Sequence, residues 1–379
     1  MVRSARGRAR EAILDAIRAA EPLSRVEIAA ATGLTEAAVS MTVRRLLDDG
    51  LVIEDGRKPT AGKPRTLLRL DPGARIAVGV HLDAGVATFV LTGQTGGIIS
   101  RLARPTSTPP AADELAAGVA VLLAGSGVDA ARCQGIGLAG AATFRAPAAT
   151  FPAPQEQADE LGDRLASATG LPVLVENDAT AAAVGEHWVA RLGPERAFAA
   201  LHMGGRLGAG IIVEGRVLRG GEFGHFCVRP DGPECWCGSR GCLEAMAGPR
   251  TLVALASADA AAAAEAGLAR TSRGVSADFA AIARAARAGA PACRALLEES
   301  ASYVAAAAES VVNLLDLDLV VLTGAGFAVA SFVYGPAIQR RIAPADSRTW
   351  HRAVTVTVSL AASTASATGA AALVLQPPT

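Results

Sequence analysis

The chain has 379 residues, 51% of them hydrophobic and 4% aromatic, and its 36 basic and 36 acidic side chains cancel. That length suits two or three domains whose cores need no disulfide staples, and it makes the distribution of charge more informative than its sum. Arg3, Arg6, Arg8 and Arg10 open the chain without an acid, and no apolar run follows them, so no secretory signal is expected. The longest apolar region, 302–335, is broken by Glu309, Asp316 and Asp318 and by a glycine-rich turn, which argues against a membrane span. A cytoplasmic, reducing setting is expected, where clustered cysteines are metal ligands more often than disulfides. The abundance of Ala and Gly is taken as base composition rather than architecture.

The first seventy residues carry three helical periods. Ile13, Leu14 and Ile17 form one apolar stripe, which Pro22 ends. Ser24 with Glu27 three residues on is a capping-box pattern and predicts a second helix with Val26, Ile28 and Ala29 on its apolar side. After the turn "TGLT", Thr35 caps a third helix with Val39, Val43, Leu46 and Leu47 inward and Gly50 at its end. This is helix-turn-helix spacing, in which the third helix enters the major groove. Thr35, Glu36, Ser40, Thr42, Arg44 and Arg45 are its candidate DNA contacts. Two strand-like runs, "GLVIED" and "RTLLRL", flank "GRKPTAGKPR", whose Arg57, Lys58, Lys63 and Arg65 make a basic wing suited to phosphates.

Beyond residue 75, "RIAVGVHLDAGVATFVLTGQTGGIISRLARP" predicts strands joined by Gly turns, and "GIGLAG" and "LPVLVEND" predict two more. A helix over "ATAAAVGEHWVARLG" follows, then a Gly-rich hairpin over "FAALHMGGRLGAGIIVEGRVLRGG". "DLDLVVLTGAGFAV" predicts a buried strand near the end. Strands alternating with helices suggest two α/β lobes with a cleft between them.

"GHFCVRPDGPECWCGSRGCLEA" gathers four of the six cysteines. Cys235, Cys237 and Cys242 have the spacing C-x-C-x4-C, with two glycines allowing a tight backbone. Structural zinc takes four thiolate or imidazole ligands, so a fourth is needed, and both His225 and Cys227 lie upstream.

Taken in order, "VENDATAA", "GGRLGAGIIVEGRVLRGGEFGH", "CWCGSRGCLEA" and "VVLTGAG" resemble the ROK family of repressors, open reading frames and sugar kinases, over about residues 75–375. With a winged helix-turn-helix in front, the chain resembles the family's transcriptional-regulator branch. The resemblance implies an α/β, two-lobed actin-like (ribonuclease H-like) fold, with a sugar in the cleft and a structural zinc beneath it. It selects His225 as the fourth zinc ligand beside Cys235, Cys237 and Cys242. It places Asn177, Asp178, Glu222, His225 and Glu244 around sugar hydroxyls, which carboxylates can accept from. The expected division is a winged helix-turn-helix over 1–70, a first lobe over 75–185 with a helix at about 365–376 packing back on it, and a second lobe over 186–364 carrying the zinc motif.

The family's first phosphate loop, D-x-G-G-T, corresponds here to His81, Leu82, Asp83, Ala84 and Gly85, and its second, G-T-G-x-G, to "GGRLG" with Gly205 and Arg206 at changed positions. A carboxylate at Asp83 opposes a polyanion, and phosphoryl transfer depends on positioning phosphate. Asp178, where the family keeps its general base, becomes vestigial on this reading. The expectation is therefore a sugar-responsive DNA-binding regulator without kinase activity, a homodimer or tetramer on an inverted-repeat operator and away from membranes. The alternatives are a sugar kinase with a fused DNA-binding domain, and a DNA-binding protein whose lobes only dimerise.

Overall fold

The computed structural model describes residues 5–59, 64–83, 85–107, 109–140, 154–190, 196–218, 222–268, 273–342 and 353–376. Lys63 of the wing, Ala84 of the first loop and Gly220 and Gly221 before Glu222 lie outside them. Among the described residues no helix is long and apolar enough to cross a membrane.

The N-terminal unit holds α1 (Ala5–Ala20), β1 (Leu23–Ser24), α2 (Arg25–Thr32), α3 (Glu36–Asp48), β2 (Val52–Lys58) and β3 (Arg65–Leu70). The local signals act as the sequence predicts. Ser24 Oγ accepts the Glu27 amide at 3.4 Å while Glu27 Oε2 accepts the Ser24 amide at 2.8 Å, closing the capping box. Gly33 ends α2 in the left-handed region at φ 68°, and Thr35 accepts from the Ala38 amide to start α3. Ile13, Ile17, Ile28, Val39, Val43, Leu46, Leu68 and Leu70 are fully buried in one core, whereas Val26 and Leu47 are only partly buried. The two-residue β1 was not expected. It pairs antiparallel with β3 and makes the sheet three-stranded, in the order β1-β3-β2.

The rest of the chain builds two five-stranded sheets of the same topology. The first comprises β4 (Ile76–Asp83), β5 (Val86–Gly93), β6 (Ile98–Pro105), β7 (Cys133–Gly140) and β8 (Val173–Asn177), ordered β6-β5-β4-β7-β8 and covered by α4 (Ala112–Gly125) and α5 (Pro154–Thr169). Then α6 (Asp178–Ala190) leads to β9 (Phe198–Met203), β10 (Leu207–Val213) and β11 (Arg216–Leu218), followed by the helices α7 (Leu243–Ala247), α8 (Pro249–Ala258), α9 (Ala260–Ala266), α10 (Val275–Arg287) and α11 (Pro291–Leu315). The elements β12 (Leu319–Thr323), α12 (Ala325–Ile342), β13 (Thr355–Val358) and α13 (Ala365–Leu375) close the chain. The second sheet runs β11-β10-β9-β12-β13. In each sheet the first three strands are antiparallel and the last two join in parallel.

Between the sheets α6 and α13 pack with their backbones nearly touching. A Cβ on Gly369 would stand 1.7 Å from the Ala181 carbonyl oxygen, and one on Gly185 would stand 2.1 Å from that of Ala365. On the sheet side, Gly79 and Gly137 admit the carbonyls of Ala367 and Ala370 in the same way. The small residues here are a steric requirement of the joint, so the composition does carry architecture. At the far end of α6 the ring of Trp188 lies under the Arg18 guanidinium of α1, 3.8 Å from its centroid. Arg18 Nε also donates to the Gln94 carbonyl at 2.9 Å, and Gln94 Nε2 donates to the carbonyls of Leu51 and Asp71. The N-terminal unit is thereby fastened to the sheet that follows it.

Candidate functional site

The zinc motif folds as a knuckle. Gly238 (φ 89°) and Gly241 (φ 64°) take the left-handed conformation, and a Cβ on Gly241 would strike the Arg229 carbonyl. The turn brings the Cys235 amide onto the Ser239 carbonyl at 2.7 Å. His225 sits in a single 3-10 turn, Phe223–His225, that follows Glu222. Its Nδ1 lies 3.5 Å from Cys235 Sγ, Cys237 and Cys242 Sγ are 3.6 Å apart, and all four ligand atoms fall within 4.8 Å of one another. A zinc tetrahedron with these donors has edges of about 3.6–3.8 Å, so the donor set fits a closed structural site. Cys227 is exposed and pairs with Cys242 only through a backbone bridge, leaving His225 in the fourth position. Burial, and then the neighbouring thiols, push Cys242 up to about 12. Three thiolates this close are stable only beside a cation.

Above the knuckle a cleft is lined by Asn177, Asp178, Arg206, Leu207, Glu222, His225, Trp236 and Glu244, among others. The five expected sugar contacts are therefore together, but their settings differ. Glu244 is buried and accepts the Leu207 amide at 2.8 Å, so it also anchors the start of β10. Burial raises its pKa, against the pull of that amide and of Arg206 and Arg250. Glu222 is exposed. Asn177 ends β8 and caps α6, its Oδ1 accepting the amides of Ala179 and Thr180 at 2.9 and 3.1 Å. Asp178 is buried at the first turn of α6, with Oδ1 on the Ala179 amide. Its Oδ2 faces His202 Nε2 at 3.7 Å and His81 Nε2 at 3.9 Å. Burial opposes ionisation of Asp178, but the two imidazoles outweigh it and hold the carboxyl below its ordinary value. Burial lowers the pKa of His202.

Asp83 and Arg206, from the two loops the resemblance assigns to phosphate, are both engaged within the protein. Asp83 Oδ1 accepts the Gly205 amide at 2.8 Å, joining the end of β4 to the loop before β10. Arg206 turns toward the knuckle, its guanidinium 4.4 Å from the Trp236 ring centroid, and Trp236 packs edge-on to His225 at 4.7 Å. Sequence reasoning passed over Trp236 and His202. Trp236 sits inside the motif and offered a signal, whereas His202 had none beyond its position in a buried strand.

In the N-terminal unit Glu36, Ser40, Arg44 and Arg45 are exposed along α3, and Thr42 is half-buried. Thr35 is exposed, and its hydroxyl is engaged in capping. Arg57 and Arg65 are exposed on the wing strands, with Arg57 opposite Thr66 and Lys58 opposite Arg65. Lys58 is tied back to α2 by a 2.8 Å ion pair with Glu27, whose carboxyl falls to about 2 through that bond and those to Ser24.

The ROK family profile matches residues 77–377. The chain belongs to the ROK family. The MarR family profile matches residues 12–58, which run from within α1 through β1, α2 and α3 to the end of β2. Among ROK structures, a ROK family transcriptional regulator homologous to the E. coli MLC protein superposes with a TM-score of 0.72 at 22% identity, covering 98% of this chain and 96% of that one. A Streptomyces griseus ROK glucokinase in complex with glucose and AMPPNP superposes at 0.63 with 28% identity, covering 80% of this chain and all of that one. In sequence, the chain is 34% identical over 186 residues to a Streptomyces coelicolor glucokinase, covering 47% of this chain and 58% of the enzyme. It is 29% identical over 246 residues to a putative xylose repressor of Caldicellulosiruptor sp., covering 62% of each. These alignments span less than two thirds of either relative.

Proposed function

We propose that this ROK protein is a sugar-responsive, DNA-binding transcriptional regulator, a repressor of carbohydrate-metabolism genes that has lost phosphoryl transfer. The observation that carries the reading is the Asp83 carboxylate on the Gly205 amide, in a chain that also presents a winged helix. A phosphate cradle needs free backbone amides and no nearby anion, and Asp83 takes the amide and supplies the anion. The sugar half of the site keeps its furniture. Asn177 and Asp178 face Glu222, His225 and Glu244 across the cleft, and zinc held by His225, Cys235, Cys237 and Cys242 would stiffen the loop that carries them. Likeness to both xylose repressors and glucokinases supports a monosaccharide or close derivative as effector.

DNA would be met by α3, with Arg44 and Arg45 foremost, and by Arg57, Arg65 and Lys63 of the wing. Lys58 contributes less, because Glu27 already neutralises it. One winged helix buries too little surface for tight operator binding, so a homodimer on an inverted repeat is the working form. The test has two arms. Purified protein with ATP and glucose, xylose or N-acetylated hexosamines should give no turnover above background, and turnover abolished by Asp178→Asn would restore the kinase reading. A sugar found by thermal shift should change operator affinity, and the change should shrink in Glu244→Ala. If cleft-binding sugars leave operator affinity untouched, the lobes serve only to dimerise.

A further inference from the structure

His81, Asp178 and His202 form a second ligand cluster, whose two histidines the sugar and zinc readings leave unused. His81 lies near the end of β4 and His202 near the end of β9, the first strands of the two matching sheets. Asp178 begins α6, the helix that leads from one sheet to the other. The three side chains are 8%, 5% and 2% exposed in chain order. Nε2 of His81 and both ring nitrogens of His202 are buried without a hydrogen-bond partner. Leaving a buried polar atom unsatisfied is costly, so a fold that aims two of these nitrogens, His81 Nε2 and His202 Nε2, at one carboxylate oxygen has a use for them. Asp178 Oδ1 is fixed by the Ala179 amide, which leaves Oδ2 aimed at both imidazoles.

The geometry points to a second metal site here, taking a divalent transition ion of the zinc or cobalt type through His81 Nε2, His202 Nε2 and Asp178 Oδ2. Two imidazoles and one carboxylate with a further position open are a donor set for such ions, and too poor in oxygen for calcium or magnesium. One ligand atom from each residue lies within 4.8 Å of the other two, and the edges from Asp178 Oδ2 to His202 Nε2 and His81 Nε2 are 3.7 and 3.9 Å. Bonds of about 2.0–2.2 Å require edges near 3.3 Å, so the two carboxylate edges need close by only about half an ångström to bind an ion. Asp178 also lines the cleft, which gives the ion an entry path. The ligands come from both lobes, so the ion would set the angle at which the lobes close. Of its three ligands only Asp178 is shared with the proposed sugar contacts.

Cobalt separates the two sites by colour. Thiolate–cobalt bonds at the cysteine knuckle give strong near-ultraviolet charge-transfer bands, whereas two imidazoles and a carboxylate give only weak visible bands. Metal-free, full-length protein titrated with Co2+ and then gel-filtered should retain about two ions per chain and show both sets of bands. His202→Gln should lose one ion and its visible contribution while keeping the thiolate bands, with circular dichroism confirming the fold. His81→Asn should do the same. Retention of a single ion by wild type, with thiolate bands alone, overturns the proposal without recourse to any variant. Equal cobalt content and superimposable spectra in wild type and a folded His202→Gln overturn it as well.

Discussion

Replacing glycine by alanine at two helical positions should move stability in opposite directions. At Gly369, inside α13, the new Cβ would lie 1.7 Å from the Ala181 carbonyl oxygen and 2.6 Å from the Gly185 nitrogen, both backbone atoms. Real Cβ contacts do not fall below 3.0 Å, so α6 and α13 must part by at least 1.3 Å. Overpacking of this kind costs about 1–3 kcal/mol, and rigid backbone on both sides places the variant toward the upper figure. At Gly125, the exposed last residue of α4, the same methyl meets nothing within 4 Å. There only the backbone entropy changes, which favours alanine by about 0.5–1 kcal/mol in mid-helix and less at an end. At roughly 2–4 °C per kcal/mol for lobes of this size, Gly369→Ala should melt several degrees below wild type, and Gly125→Ala at or slightly above it. Differential scanning fluorimetry of the full-length proteins reads both. A Gly369→Ala protein that melts with wild type would mean that the helices have slack, and the steric account of the joint would be wrong.

Other perturbations address the sites. Cys237→Ser should lose its zinc and melt earlier, while Cys133→Ser and Cys293→Ser, both buried away from the knuckle, should keep full metal content by elemental analysis. Glu27→Ala removes the acceptor of the Ser24 amide and the partner of Lys58, which should cost about 1 kcal/mol from the cap with little more from the exposed ion pair. The folded pKa of Glu27, about 2, lies below the unfolded value of about 4.3. Its contribution is therefore complete above that unfolded value and fades as pH falls through the folded one. Wild type and Glu27→Ala should accordingly converge in acid denaturation between those limits. Arg18→Ala strips the cation from Trp188 and should shrink the effect of sugar on operator affinity while leaving sugar affinity of the DNA-free protein within about twofold. Fluorescence anisotropy with and without sugar checks it, and undiminished coupling would place the route elsewhere.

What was legible in the sequence was local. Ser24 with Glu27, Gly33, and Thr35 announced their caps because a cap is written within four residues, and the cysteine knuckle announced itself by spacing. The choice of His225 over Cys227 rested on family resemblance. The structure supplies its physical reason, since only His225 points a donor atom into the cluster. The hidden features are those that join distant segments. His81 read only as a spoiled phosphate loop, because nothing in strands β4 and β9 reveals that their ends converge on Asp178. The matching order of the two sheets left no repeat in the sequence, since one strand topology accepts many apolar residues. Lys58 looked free on a basic wing until its reach to Glu27, 31 residues earlier, was visible. The Gly and Ala content was misjudged for the same reason: a contact between α6 and α13 spans almost half the chain.

The helix α6 starts at Asp178 in the cleft and carries Trp188, under Arg18, close to its other end. A rod of that length, about 20 Å, pivoted at its middle and tilted by about 5°, moves each end by nearly 1 Å. It is clamped midway by the contact with α13, which makes that contact a fulcrum and the helix a lever of fixed arms. Lever ratios are set by where the fulcrum sits, and here it is fixed by glycines at which any Cβ would press on the facing backbone. A change in the cleft that leaves this fulcrum in place would keep the ratio between movement at Asp178 and movement at Trp188.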